Sequence, residues 1–170
     1  MKKLLAVVLC TAIILSLGAC GSKSSYDSLI EDYISAINSG KPSNVTKLYA
    51  HCYQPDTTDT DELWVEMFAL YEHIYGEDYK VKISGDMEYK KIDPYDEENP
   101  GNILSMIDVI AEKNIAFEEC GYVNVPVEIS GSKNSDTKTV EIVTIKIDGK
   151  WYIYYDSKFL LKFVNSYIED

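Results

Sequence analysis

Arginine is absent from this 170-residue chain and histidine occurs only twice, so lysine carries nearly all of its positive charge. Without a guanidinium group there is no planar, bidentate clamp for a phosphate or a carboxylate. Scarce histidine narrows the scope for acid–base catalysis near neutral pH. His73 shares a helical stripe with Glu62, Glu66 and Ala69, which predicts a solvated side chain. His51 adjoins Cys52, but neighbouring residues diverge on a helix and no second ligand pair has metal spacing, so no metal site is expected. A glycine-rich phosphate loop and a nucleophile elbow are also missing.

Positive charge is short as well. The segment Leu4–Leu17 is apolar or small throughout and follows Lys2 and Lys3, yet its 14 residues fall below the roughly 20 that span a bilayer. That pattern fits the apolar region of a secretory signal. Leu17-Gly18-Ala19-Cys20 resembles the lipobox of bacterial lipoproteins, in which the cysteine takes a diacylglycerol thioether and becomes the mature N-terminus. The resemblance implies a signal peptide over 1–19, a lipidated Cys20 with its tether over 20–25, and one domain over 26–170. The tether Gly21–Ser25 can extend only about 17 Å, which keeps the domain near the membrane. The expected place is the outer face of the cell membrane, in the manner of Gram-positive lipoproteins. The chain from Cys20 onward carries 14 lysines against 28 acids. Such a balance argues against nucleic-acid binding and against electrostatic docking on anionic lipid.

The chain after the tether reads as helices first, then strands. Tyr26, Leu29, Ile30, Tyr33, Ile34 and Ile37 recur at helical spacing up to Gly40. A second helix is expected after Pro42, N-capped by Ser43, with Val45, Leu48, Tyr49 and Cys52 on one face. A third is expected from Asp61 to Tyr75, with Leu63, Met67, Leu70, Tyr71 and Ile74 inward. Tyr79–Lys90 then alternates with period two, broken at Gly85, and a further helix is expected over 103–114. Val123, Val125, Val127 and Ile129 alternate in a strand whose Pro126 requires an edge or a bulge. Asp148-Gly149 closes a hairpin as a two-residue turn. Around this turn, Trp151, Ile153, Tyr155, Ile142 and Val140 share one face, and Ile147, Ile145, Tyr152, Val143 and Tyr154 the other. Both faces are apolar, so each needs a cover: helices on one, and the C-terminal segment, a second copy or a ligand on the other.

The opening YDSLIEDYISAINSGKPSNVTKLY and the closing IKIDGKWYIYY resemble the nuclear transport factor 2-like (cystatin-like, SnoaL-like) superfamily. That resemblance implies an α+β fold: N-terminal helices on a curved, cone-like antiparallel sheet, one helix inserted between strands, a short C-terminal helix, and a pocket at the open end. About four strands are legible, where the family commonly has five or six.

Trp64, Phe68, Tyr71 and Tyr75 form an aromatic stripe on the third helix that serves either as core or as the wall of a binding pocket. An isomerase or dehydratase in such a cone needs a buried Asp or His beside a Tyr donor, and no acid falls on an apolar face in this pattern. Asp56, Asp59, Asp61 and Glu62 lack the glycine and distal glutamate of a calcium loop. The expectation is therefore binding without catalysis, cofactor or metal. The ligand would be a small molecule or peptide. The alternative is an interaction module that forms a homodimer or contacts an envelope protein through its sheet. Cys52 and Cys120, 68 residues apart, are candidates for a disulfide worth ~4 kcal/mol if their Cα atoms approach within about 7 Å. A pair of buried free thiols is the competing expectation.

Overall fold

The computed structural model describes residues 25–50, 57–93, 117–155 and 163. The signal segment, Cys20, Cys52, the helix expected over 103–114 and most of the C-terminal segment lie outside the described residues. The fold is α+β, with three described helices against a curled antiparallel half-barrel.

Helix α1 (Tyr26–Asn38) begins where Ser25 Oγ accepts the Ser28 N–H at 3.3 Å, which makes Ser25 its N-cap. It buries Leu29, Ile30, Tyr33, Ile34 and Ile37, the face its periodicity predicts. Helix α2 (Pro42–Thr46) is a single short turn that stops well before Cys52. Its N-cap is Lys41 rather than Ser43, because Pro42 occupies the first helical position, where its missing N–H costs nothing. Helix α3 (Thr57–Tyr75) starts one turn earlier than expected, so Asp61 and Glu62 lie beyond its first turn. Its inward stripe is Trp64, Met67, Phe68, Tyr71, Ile74 and Tyr75. Leu63, expected inside, is 44 % exposed, because it stands about 100° around the helix from Trp64.

The predicted first strand is two strands, β1 (Lys80–Ile83) and β2 (Glu88–Ile92), both antiparallel to β3 (Phe117–Ser130). The break has a chemical cause. Pro126 on β3 presents its carbonyl to the Ser84 N–H at 2.8 Å, so its missing N–H faces the same side, and the opposing chain bulges there through Gly85. β3 lies inside the sheet, which makes Pro126 a bulge proline rather than an edge one. β4 (Ser135–Ile147) pairs along the length of β3, and β5 (Lys150–Tyr155) pairs with β4, giving five described strands.

The β4–β5 turn is Asp148-Gly149, with φ of 49° and 75°, the positive pair that a two-residue hairpin needs. The register runs as the turn dictates as far as Thr144↔Ile153. A bulge at Tyr154 then shifts the register and sets Tyr155 opposite Val143. A second bulge at Glu118 interrupts the pairing of β3 with β4. The Glu118 carboxylate accepts the Gly149 N–H and meets Lys146 Nζ at 2.8 Å, which braces the turn.

Both sheet faces are buried, as two separate clusters. Val123, Val125, Val127, Val140, Ile142, Trp151 and Ile153 pack with the three helices. Cys120, Val143, Ile145 and Ile147 pack on the opposite face with Ala50 and Ile92, flanked by half-buried Tyr152 and Tyr154. Of the C-terminal segment only Phe163 is described. It packs in the helix-side cluster, with its carbonyl 3.4 Å from Tyr75 Oη, rather than over Tyr152.

Two sheet edges are covered by polar backbone contacts. Leu48–Ala50 runs beside β5, with the Ile153 N–H donating to Leu48 at 2.9 Å and the Ala50 N–H donating to Ile153 at 3.0 Å. On β1, Asn38 stands in for a neighbouring strand: Nδ2 donates to the Val81 carbonyl at 2.7 Å and Oδ1 accepts the Val81 N–H at 2.8 Å. Asn38→Ala strips both bonds from a partly buried edge and should cost about 2 kcal/mol, read from urea unfolding. A loss under ~0.5 kcal/mol would show that water replaces Asn38 freely.

Candidate functional site

The four aromatic residues of the expected pocket wall do come together, but as core. Trp64, Tyr71 and Tyr75 are wholly buried and Phe68 is 6 % exposed. Tyr33 of α1 meets the Trp64 ring edge-on at 6.0 Å, Phe68 tilts against it at 5.4 Å, and Tyr71 meets Tyr75 and Tyr79 edge-on. Burial pushes the Tyr79 phenol up to about 12 and keeps it a neutral donor at physiological pH. Tyr75 Oη donates to Asp136 Oδ2 at 2.8 Å, tying the end of α3 to β4.

One cavity of about 200 Å³ lies elsewhere, between α1 and α2, and none of the four aromatic residues lines it. Asp32, Ser35, Ala36 and Ser39 stand at i, i+3, i+4 and i+7, the spacing of one helix face, and the three small side chains leave the hollow. Asn44, Lys47 and Leu48 close the other side. Its polar wall is held in place internally: Asn44 Nδ2 donates to Ser39 Oγ at 2.9 Å, and Lys47 Nζ donates to Asn44 Oδ1 at 3.3 Å. Buried Leu48 and nearly buried Ala36 supply an apolar floor. The groove thus offers a carboxylate, an ammonium, hydroxyls and a small apolar surface. No sequence signal marked it, because its residues are ordinary polar-face residues of α1 until α2 folds beside them.

A second cluster lies at the start of α1. Tyr26, the first residue of α1, stacks on Tyr89 at 4.8 Å, and Trp151 meets both rings edge-on at 5.9 and 5.6 Å. Tyr89 sits over Gly121, where any Cβ would strike its ring. Tyr89 Oη donates to Glu119 Oε1 at 3.0 Å, and burial together with that carboxylate raises the phenol pKa. These contacts pin the start of the domain to the sheet.

Cys120 is a fully buried thiol whose pKa burial raises to about 11, which suits a small apolar residue better than a nucleophile. Its expected partner Cys52 lies outside the described residues, so the pairing remains an expectation. Intact mass of the exported protein with and without reductant and alkylation tests it, two free thiols being the outcome against a bond. His73 is exposed, as its stripe predicts, and among the described residues no three His, Cys, Asp or Glu side chains gather as a metal would need.

Two carboxylates give the domain an acid-side dependence. Hydrogen bonds from Ser132 hold Asp78 below its ordinary 3.8, and bonds from Lys146 and Gly149 hold Glu118 below its ordinary 4.5. A depressed folded-state pKa contributes stability above the unfolded value and loses it as the pH falls through the folded one. The melting temperature should therefore drop as the pH is lowered from 5 to about 3, and Asp78→Asn should flatten part of that slope. An unchanged slope in the variant would remove Asp78 from the account.

No family model, no curated protein and no solved structure matches the chain.

Proposed function

We propose that this chain is a lipoprotein anchored through Cys20 on the outer face of the cell membrane, where its domain acts as a binding module for a small molecule or peptide. The observation that carries the binding reading is the groove between α1 and α2, which sets Asp32 and Lys47 around an apolar floor. At about 200 Å³ it is smaller than the ~300–1,000 Å³ of drug-sized sites. It suits a ligand of a few heavy atoms, or one residue of a peptide, with a cationic end for Asp32 and an anionic end for Lys47. A nuclear transport factor 2-like cone is the architecture we propose for the whole domain, and the curled sheet packed on helices supports it.

The alternative, a homodimer or envelope contact through the second sheet face, fits less well. Cys120 and Ile145 on that face are fully buried within the single chain, and its partly exposed apolar residues are Phe117, Tyr122, Tyr152 and Tyr154. Native mass spectrometry of the domain released gently from membranes discriminates the two. We expect a monomer carrying an added small mass that Ser35→Trp, which fills the groove from an exposed position, abolishes. A dimer whose mass and stability ignore Ser35→Trp would overturn the groove as the functional site.

A further inference from the structure

The Trp64 indole is wholly buried and its Nε1–H has no hydrogen-bond partner. One helical turn earlier, the buried Oδ1 of Asp61 also has none. Long side chains on a helix lean toward its N-terminus, so the indole reaches back over the turn that carries Asp61. Residues three apart are neighbours on a helix, with Cβ atoms about 5–6 Å apart, so Asp61 and Trp64 stand on adjoining turns within reach of one shared group. The ring has little freedom to look elsewhere, since Tyr33 meets it edge-on and Phe68 tilts against it.

We propose that Asp61 and Trp64 form a buried subsite for one uncharged hydroxyl group, which donates to Asp61 Oδ1 and accepts from Trp64 Nε1. The chemistry selects that class. A bare anion would satisfy the indole but be repelled by the carboxylate, and a bare cation the reverse. A group that is donor and acceptor at once satisfies both atoms, and buried polar atoms in native proteins nearly always have such a partner. The hydroxyl belongs either to an internal water or to a small ligand. This subsite is separate from the groove between α1 and α2 and stands or falls without it.

A crystal structure of the unmodified mature domain at better than about 2 Å should place one oxygen within roughly 2.7–3.2 Å of both atoms. Native mass spectrometry separates the sources. A mass added to the unmodified chain and lost in Trp64→Phe identifies a ligand hydroxyl, and the bare chain mass with the oxygen in place identifies water. Shared use of one group also makes the two residues non-additive. Trp64→Phe and Asp61→Leu should each lower the folding equilibrium constant about tenfold, and the double variant about tenfold rather than a hundredfold. Asp61→Asn, which keeps the acceptor oxygen, should stay near the unmodified value. Density that shows either atom bonded directly to another protein group, or fully additive variants, would overturn the subsite.

Discussion

Gly131→Ala should lower the melting temperature of the domain by roughly 2–12 °C. The β3–β4 turn serves as the C-terminal cap of α3. The Lys133 N–H donates to the Tyr75 carbonyl at 2.9 Å, Asn134 Nδ2 to Ile74 at 2.6 Å, and Lys133 Nζ to His73 at 3.1 Å. The last carbonyls of a helix have no partner within it, and here a hairpin supplies one for each of three. That arrangement requires the turn to lie directly on the helix end. A Cβ at Gly131 would collide with the Tyr75 carbonyl oxygen, a backbone atom that no rotamer change can move aside. Either the turn lifts and abandons its caps, or the helix end shifts against a packed core. Overpacking costs about 1–3 kcal/mol, and a domain of this size loses about 2–4 °C per kcal/mol. Thermal unfolding by circular dichroism measures it, with Gly40→Ala as comparison, because a Cβ there meets nothing within 4 Å and only its backbone angle is strained. If Gly131→Ala melts no lower than Gly40→Ala, the turn is not seated as described.

Cys20→Ala should move the protein from the membrane fraction to the medium, or leave it uncleaved as a precursor. Attachment in this reading comes from acyl chains on one sulfur, each buried methylene contributing about 0.8 kcal/mol, and alanine provides nowhere to attach them. Among the described residues no helix is long and apolar enough to cross a membrane. Cell fractionation with intact mass of the secreted product measures both outcomes. Wild-type maturation and membrane retention in the variant would defeat the lipoprotein reading. The short tether adds a geometric expectation. Tyr26 is fastened to Tyr89 and Trp151, so the end of the sheet bearing Asp148-Gly149 should face the bilayer and the β3–β4 turn should face away.

Local patterns set the elements whose burial needs one neighbour. The spacing of Leu29, Ile30, Tyr33 and Ile37 produces α1 because a single stripe suffices, and Asp148-Gly149 produces its hairpin because two positive φ angles specify the turn. The doubly apolar hairpin likewise foretold a sheet buried on both faces, since alternation by itself assigns each side chain to a face. Tertiary structure decided what depends on distant partners. Leu63 is as apolar as Met67, yet the sheet and α1 take the aromatic stripe and leave Leu63 in water. Ser43 is a good cap that Pro42 displaces. The bulge at Tyr154 shifts the pairing so that Tyr155 stands opposite Val143, which no period-two reading of β5 can foresee. Gly131 looks like any loop glycine until Tyr75, 56 positions earlier, is placed beneath it. The groove of Asp32 and Lys47 and the pairing of Asp61 with Trp64 have the same origin. A concavity or an orphaned polar atom is defined by what packs around it, and that is a property of the assembled fold.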